Sequence, residues 1–102
     1  MNSKDRAYRY SPKMIEFLET LPKDTITQTM SKQLLRSSTS IGANIVEAQA
    51  ASSRKDFANF FSYALKSANE TVYWLCLLRD AKKINDDKVQ FLLNEQALGH
   101  IP

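Results

Sequence analysis

The sequence predicts an all-α fold: an antiparallel up-and-down four-helix bundle with a short fourth helix, as one domain over residues 1–102. Three observations point there. Apolar residues recur at spacings of three, four and seven along most of the chain, the signature of helical faces. Only two glycines and three prolines are present, too few for a β-sandwich, a Gly-rich nucleotide loop or collagen. The connections between periodic segments are short, which suits antiparallel neighbours. Apolar residues make up 43% and charged residues 25%, the balance of a folded domain rather than a disordered chain. At this length roughly two-thirds of the unfolded surface can be buried, so the core is thin but sufficient.

The first helix reads over residues 4–20. Pro12 interrupts it, and Ser11 followed by Pro12 forms an N-cap and first helical position, so residues 12–20 are its firm part. Met14, Ile15 and Leu18 supply its apolar side, and Pro22 with Asp24 marks a turn. The second segment, 25–51, carries a stripe of Ile26, Met30, Leu34, Ile41, Ile45 and Ala48, with Ser37 or Ser38 filling the gap. Its middle, residues 36–44, is rich in small polar residues that form helix poorly. It reads as a helix that lets a neighbour approach closely, with a loop as the rival reading.

The third segment opens on Ser53-Arg-Lys-Asp56, a capping-box pattern with Asp in place of Glu. Phe57, Phe61, Ala64, Ala68, Val72, Leu75 and Leu78 form one stripe, and Phe60, Tyr63, Ser67, Glu70, Trp74 and Leu77 run beside it. Cover that wide means packing on more than one side, within the bundle or against another subunit. The last helix begins around Asn85-Asp86-Asp87, acids suited to a helix N-terminus, and continues through Val89, Leu92, Leu93 and Ala97.

Fourteen basic and eleven acidic residues give a net charge of +3, which permits contact with nucleic acid without demanding it. Lys4, Arg6, Arg9 and Lys13 face only Asp5, while Arg79, Lys82, Lys83 and Lys88 are diluted by Asp80, Asp86 and Asp87. A single cysteine, Cys76, forms no internal disulfide and reads as a small buried hydrophobe in a cytoplasmic protein. No apolar run approaches the ~20 residues that span a bilayer, and the N-terminus lacks an apolar signal core.

Arg36, Ser37, Ser40, Asn44, Glu47 and Glu70 form a candidate polar network. Asn44 and Glu47 share a helical face, with Ser40 and Arg36 in the preceding turns, and Arg36 can pair with Glu47 or Glu70. The network reads as a device fixing helix register or subunit docking, with ligand contact as the alternative. No metal or cofactor is expected, because His100 is the only histidine and does not stand three residues after a Glu. Nor does any feature mark Cys76 as an activated nucleophile. Tyr73 and Trp74 are candidate interface anchors. Tyr8 and Tyr10 alternate with Arg6 and Arg9, a pattern for base stacking beside phosphate contacts or for a solvated N-terminus. Arg54 and Lys55 open the third helix, and with Lys23 and Lys32 they are expected either to line a phosphate-binding rim or to be ordinary solvated charges.

The run Gln33-Leu-Leu-Arg-Ser-Ser-Thr-Ser-Ile-Gly-Ala-Asn-Ile-Val-Glu-Ala48 closely resembles the proteins encoded in intervening sequences of bacterial large-subunit ribosomal RNA genes. Ser53–Phe57, Ala64–Glu70 and Tyr73-Trp-Leu75 carry the same resemblance, which covers roughly residues 11–93. It implies a four-helix bundle that assembles as a homopentamer, often with a basic surface. A relative of that family, the accessory variability protein of diversity-generating retroelements, shares the fold and binds nucleic acid and a reverse transcriptase. The resemblance fades near Glu95, where members continue the fourth helix, so one wall of the bundle is expected to be weaker here. The leading expectation is a non-enzymatic oligomer binding RNA or DNA non-specifically through Arg6, Arg9, Lys23, Lys32, Arg54 and Lys55. The alternative is a protein-binding scaffold or accessory subunit for a nucleic-acid enzyme. A small-molecule enzyme would need a closed pocket around Arg36, Glu47 and Glu70.

Overall fold

A computed structural model describes residues 3–81, 83–84 and 86–94, apart from the side chains of Ser3, Lys4, Ala7 and Asp86. The elements are α1 (Ser3–Glu19), α2 (Thr25–Gln49), α3 (Arg54–Asp80) and the short α4 (Asp86–Asn94). Ala97 and His100, with Lys82 and Asn85, lie outside the described residues. One core cluster draws on every helix, through Tyr10 and Met14 of α1, Leu34 and Ile41 of α2, Leu75 and Leu78 of α3, and Val89 and Leu92 of α4.

Helix α1 runs unbroken through Pro12, contrary to the expected start at that residue. An interior proline removes one hydrogen bond and crowds the preceding turn, costing about 3 kcal/mol. Tyr10, Met14 and Phe17 are buried on one side of the proline and the other. Burying a large apolar side chain contributes roughly 1.5–3 kcal/mol, so the three together outweigh that defect. Tertiary packing wins over local propensity. Ile15, expected in the core, points instead to solvent.

Helix α2 is continuous across the small polar stretch, which excludes the loop reading. The hydroxyls fold back onto the helix's own carbonyls: Ser37 Oγ donates to Leu34 O at 3.2 Å and Ser40 Oγ donates to Arg36 O at 2.7 Å. Asn44 Nδ2 donates to Ser40 O at 2.9 Å. Side chains that usually compete with a helix are thereby satisfied within it. The buried stripe is the expected one except at its start, where Thr27 is buried and Ile26 is exposed. Asp24 explains the exchange. It N-caps α2, accepting from Thr27 N at 3.0 Å and from Thr27 Oγ1 at 2.8 Å, so the threonine enters the core with its hydroxyl paired.

Helix α3 starts as the capping pattern predicts, with Ser53 Oγ accepting from Asp56 N at 3.1 Å. Its core face is Ala64, Ala68, Thr71, Leu75 and Leu78. Thr71 takes the buried place expected of Val72, and Phe57 stays 45% exposed. Cys76 is only partly buried, not enclosed as expected.

Two contacts fix the layout. Arg36 pairs with Glu70 and Ser37 with Thr71, both across α2 and α3 and both centred on the turn between them, which fixes the register of the antiparallel hairpin. Lys83 Nζ lies 3.7 Å from Asp24 Oδ1, so the α1–α2 and α3–α4 turns share one end, here the base. The α2–α3 turn is the opposite end, the tip. Among the described residues α1 has 17 residues against 25 in α2, so about the last two turns of α2 run past it toward the tip. The nine described residues of α4 reach less far still.

Candidate functional site

The polar network divides by depth. Ser37 and Thr71 are fully buried, and Thr71 Oγ1 lies 3.0 Å from Ser37 Oγ and 2.8 Å from Ser67 O. Two hydroxyl protons therefore serve three acceptors, counting Leu34 O, and neither hydroxyl is left without a bond. Thr71 was not anticipated. Its signal was present, since it stands three residues after Ala68 and four before Leu75 on the buried face.

Arg36 and Glu70 meet at the surface instead, with 58% and 38% of their side chains exposed. Arg36 also donates to Gln33 Oε1, from Nη2 at 3.2 Å and from Nε at 3.3 Å. The expected choice between Glu47 and Glu70 falls on Glu70. Glu47 is exposed, and its carboxylate joins no hydrogen bond or ion pair among the described residues. Ser40 and Asn44 bond only within α2. An ion pair so open to water is screened and contributes about 0–1 kcal/mol, unlike the buried charge the sequence suggested.

A cleft of about 370 Å³ opens between α1 and α4, against Phe17, Phe91 and Leu92 with Lys13 and Lys88 at its edge. None of Arg36, Glu47 or Glu70 lines it. Among the described residues no three His, Cys, Asp or Glu side chains are grouped to hold a metal ion. The carboxyl of Asp24 is held below its ordinary value by the backbone N–H of Thr27, then by the Thr27 hydroxyl and the nearby Lys83 ammonium. That is a helix cap, not an acid–base group.

The six expected phosphate contacts do not form one rim. Lys23 sits at the base and Lys32 about two turns up α2, whereas Arg54 and Lys55 are at the tip. The length of α2, about 37 Å, separates the two ends. Arg6 and Arg9 lie on the first turns of α1. What the six share is the lack of a counter-charge: none forms an ion pair among the described residues, whereas Arg36, Arg79 and Lys83 each do. Five are exposed and Arg6 is half-buried.

Of the two tyrosines expected to stack on bases, Tyr10 is only 1% exposed and belongs to the core, while Tyr8 is 76% exposed. Tyr73 and Trp74 divide likewise. Tyr73 is 59% exposed, and Leu77 extends its strip one turn on along the outer side of α3. Trp74 packs against the core, with its ring centroid 5.0 Å from that of Tyr73 and its Nε1 buried without a hydrogen-bond partner among the described residues.

Comparison with known proteins agrees with this fold. No curated protein matches the chain. A crystal structure of a protein of unknown function from the S23 ribosomal protein family of Bacteroides thetaiotaomicron superposes with a TM-score of 0.86 at 41% identity. The match covers 94% of this chain and 89% of that one. The family described as 23S rRNA-intervening sequence protein matches residues 1–97, and the chain belongs to it.

Proposed function

We propose that this protein is a non-enzymatic homo-oligomer that binds RNA or DNA through its phosphates, with little sequence preference. The single observation that carries the reading is the set of six cations that form no ion pair among the described residues, Arg6, Arg9, Lys23, Lys32, Arg54 and Lys55, spread from base to tip. Cations left unpaired by the fold are available to neutralise phosphate and release its counterions. Because they are dispersed over one protomer, a continuous basic surface requires several copies. The outward strip of Tyr73 and Leu77 on α3 supplies an apolar face for that assembly, which the family resemblance suggests is a pentamer.

A labelled structured RNA titrated with protein, together with sedimentation velocity, tests both halves. The expected results are a particle several times the 11.6 kDa chain mass and binding that weakens as salt rises. A monomer that leaves RNA free at low salt refutes the reading. The same apolar strip favours a second one, a scaffold that recruits another protein. An RNA-free protein that stays monomeric yet binds a nucleic-acid enzyme through Tyr73 supports it.

A further inference from the structure

The tip of the α2–α3 hairpin carries aromatic rings that, among the described residues, lie beyond the ends of α1 and α4. Phe57 is 45% and Tyr63 51% exposed, and Phe60 and Phe61 are half-buried. The four rings form two pairs. Phe57 and Phe61 lie nearly parallel, 7° between planes and 5.9 Å between centroids. Phe60 and Tyr63 meet edge to face at 6.4 Å.

Each pair stands beside a cation. Arg54 lies one turn before Phe57, at the i, i+3 spacing that puts both on one side of the helix. Lys66 Nζ lies 5.7 Å from the Tyr63 ring centroid. Neither cation forms an ion pair with an acid among the described residues.

Rings alone suit any apolar partner. Rings flanked by unpaired cations select a ligand that alternates flat aromatic faces with negative charge. A single-stranded nucleic acid has that alternation, whereas a duplex keeps its bases stacked inside and offers phosphate only. A second copy of this chain fits poorly, because it brings the same cations and its own +3 charge to the same place. We propose that the hairpin tip is a stacking platform for single-stranded nucleic acid, where unpaired bases lie on Phe57 and Tyr63 and Arg54 and Lys66 hold the neighbouring phosphates. This rests on the phosphate-binding reading above and narrows it to the unpaired strand.

The test compares a labelled single-stranded RNA of about 12 nucleotides with a duplex of the same length, by fluorescence anisotropy at one salt concentration. The double variant Phe57→Leu/Tyr63→Leu keeps apolar volume and removes both π-faces. The ring-keeping variant Phe57→Tyr/Tyr63→Phe controls for folding. The platform predicts a loss of about tenfold or more in single-strand affinity for the leucine variant, unchanged duplex affinity, and wild-type behaviour for the ring-keeping variant. Unchanged single-strand affinity in the leucine variant, or an equal loss on both RNAs, overturns the platform. So does a leucine variant that alters sedimentation without altering single-strand affinity, which assigns the tip to a second copy. Wild-type protein that binds the duplex alone overturns the platform and leaves phosphate binding intact. Binding to neither RNA overturns the phosphate reading, and the platform with it.

Discussion

Replacing Thr71 with valine removes one hydroxyl from the centre of the bundle and almost nothing else. The two side chains are close to isosteric, and the site is fully buried, so the change acts on hydrogen bonding between α2 and α3. Thr71 Oγ1 loses its 3.0 Å contact with Ser37 Oγ and its 2.8 Å contact with Ser67 O. Ser37 keeps the longer bond to its own Leu34 carbonyl, so no donor is orphaned. The expected loss is therefore one ordinary buried hydrogen bond, about 1 kcal/mol, and not the larger penalty of an unsatisfied group. Ser37→Ala is expected to cost a similar amount. Each single variant loses the same shared contact, which the double variant loses only once, so the double should lose less than the sum, by about 0.5–1 kcal/mol. Urea unfolding followed by helical circular dichroism, at one fixed protein concentration, gives all three values. A shift in thermal midpoint of about 4–8 °C per kcal/mol is the parallel readout. Strictly additive losses would refute the reasoning, since they would mean that the two hydroxyls are not coupled across the helices.

Three further outcomes follow from the same geometry. Leu34→Ala, at a fully buried position, is expected to cost about 2–5 kcal/mol in denaturant unfolding, enough to leave a thin core marginal. Arg36→Ala removes an exposed pair and should cost at most about 1 kcal/mol, less at high salt; a larger, salt-independent loss would show a buried role. Asp24 has a lowered carboxyl pKa in the folded chain, so its charge stabilises the fold above the ordinary value of 3.8 and ceases to as pH falls through the lowered one. The advantage of wild type over Asp24→Asn in thermal unfolding is thus expected at neutral pH and lost in strong acid, and an advantage that persists there contradicts the capping account.

The helices and most of the core were legible because their cause is local. The spacing of Met30, Leu34, Ile41 and Ile45 sets the face of α2, and Ser53 marks the start of α3. What escaped the sequence depends on neighbours. Pro12 reads as a helix start until the packing of Tyr10 ahead of it is known. Phe57 continues the core stripe, yet it lies beyond the described residues of α1 and α4 and stays 45% exposed. Sequence does not single out Thr71 and Thr27 as core residues, because their partners, Ser37 and Asp24, come from a facing helix and a preceding turn. The same holds for the candidate site. Sequence picks out cations, but only the fold shows that Lys23 and Arg54 occupy opposite ends and which cations the acids have already taken.

Whether unpaired cations hold phosphate is tested most directly by the salt dependence of binding. Anisotropy of one labelled RNA duplex, titrated with wild type and with Arg54→Ala/Lys55→Ala across a range of salt, gives two slopes of log affinity against log salt. Phosphate contact by these residues predicts a linear fall for wild type and a slope shallower by about 1–2 in the variant. A wild-type slope near zero contradicts phosphate binding altogether, and identical slopes remove Arg54 and Lys55 from it.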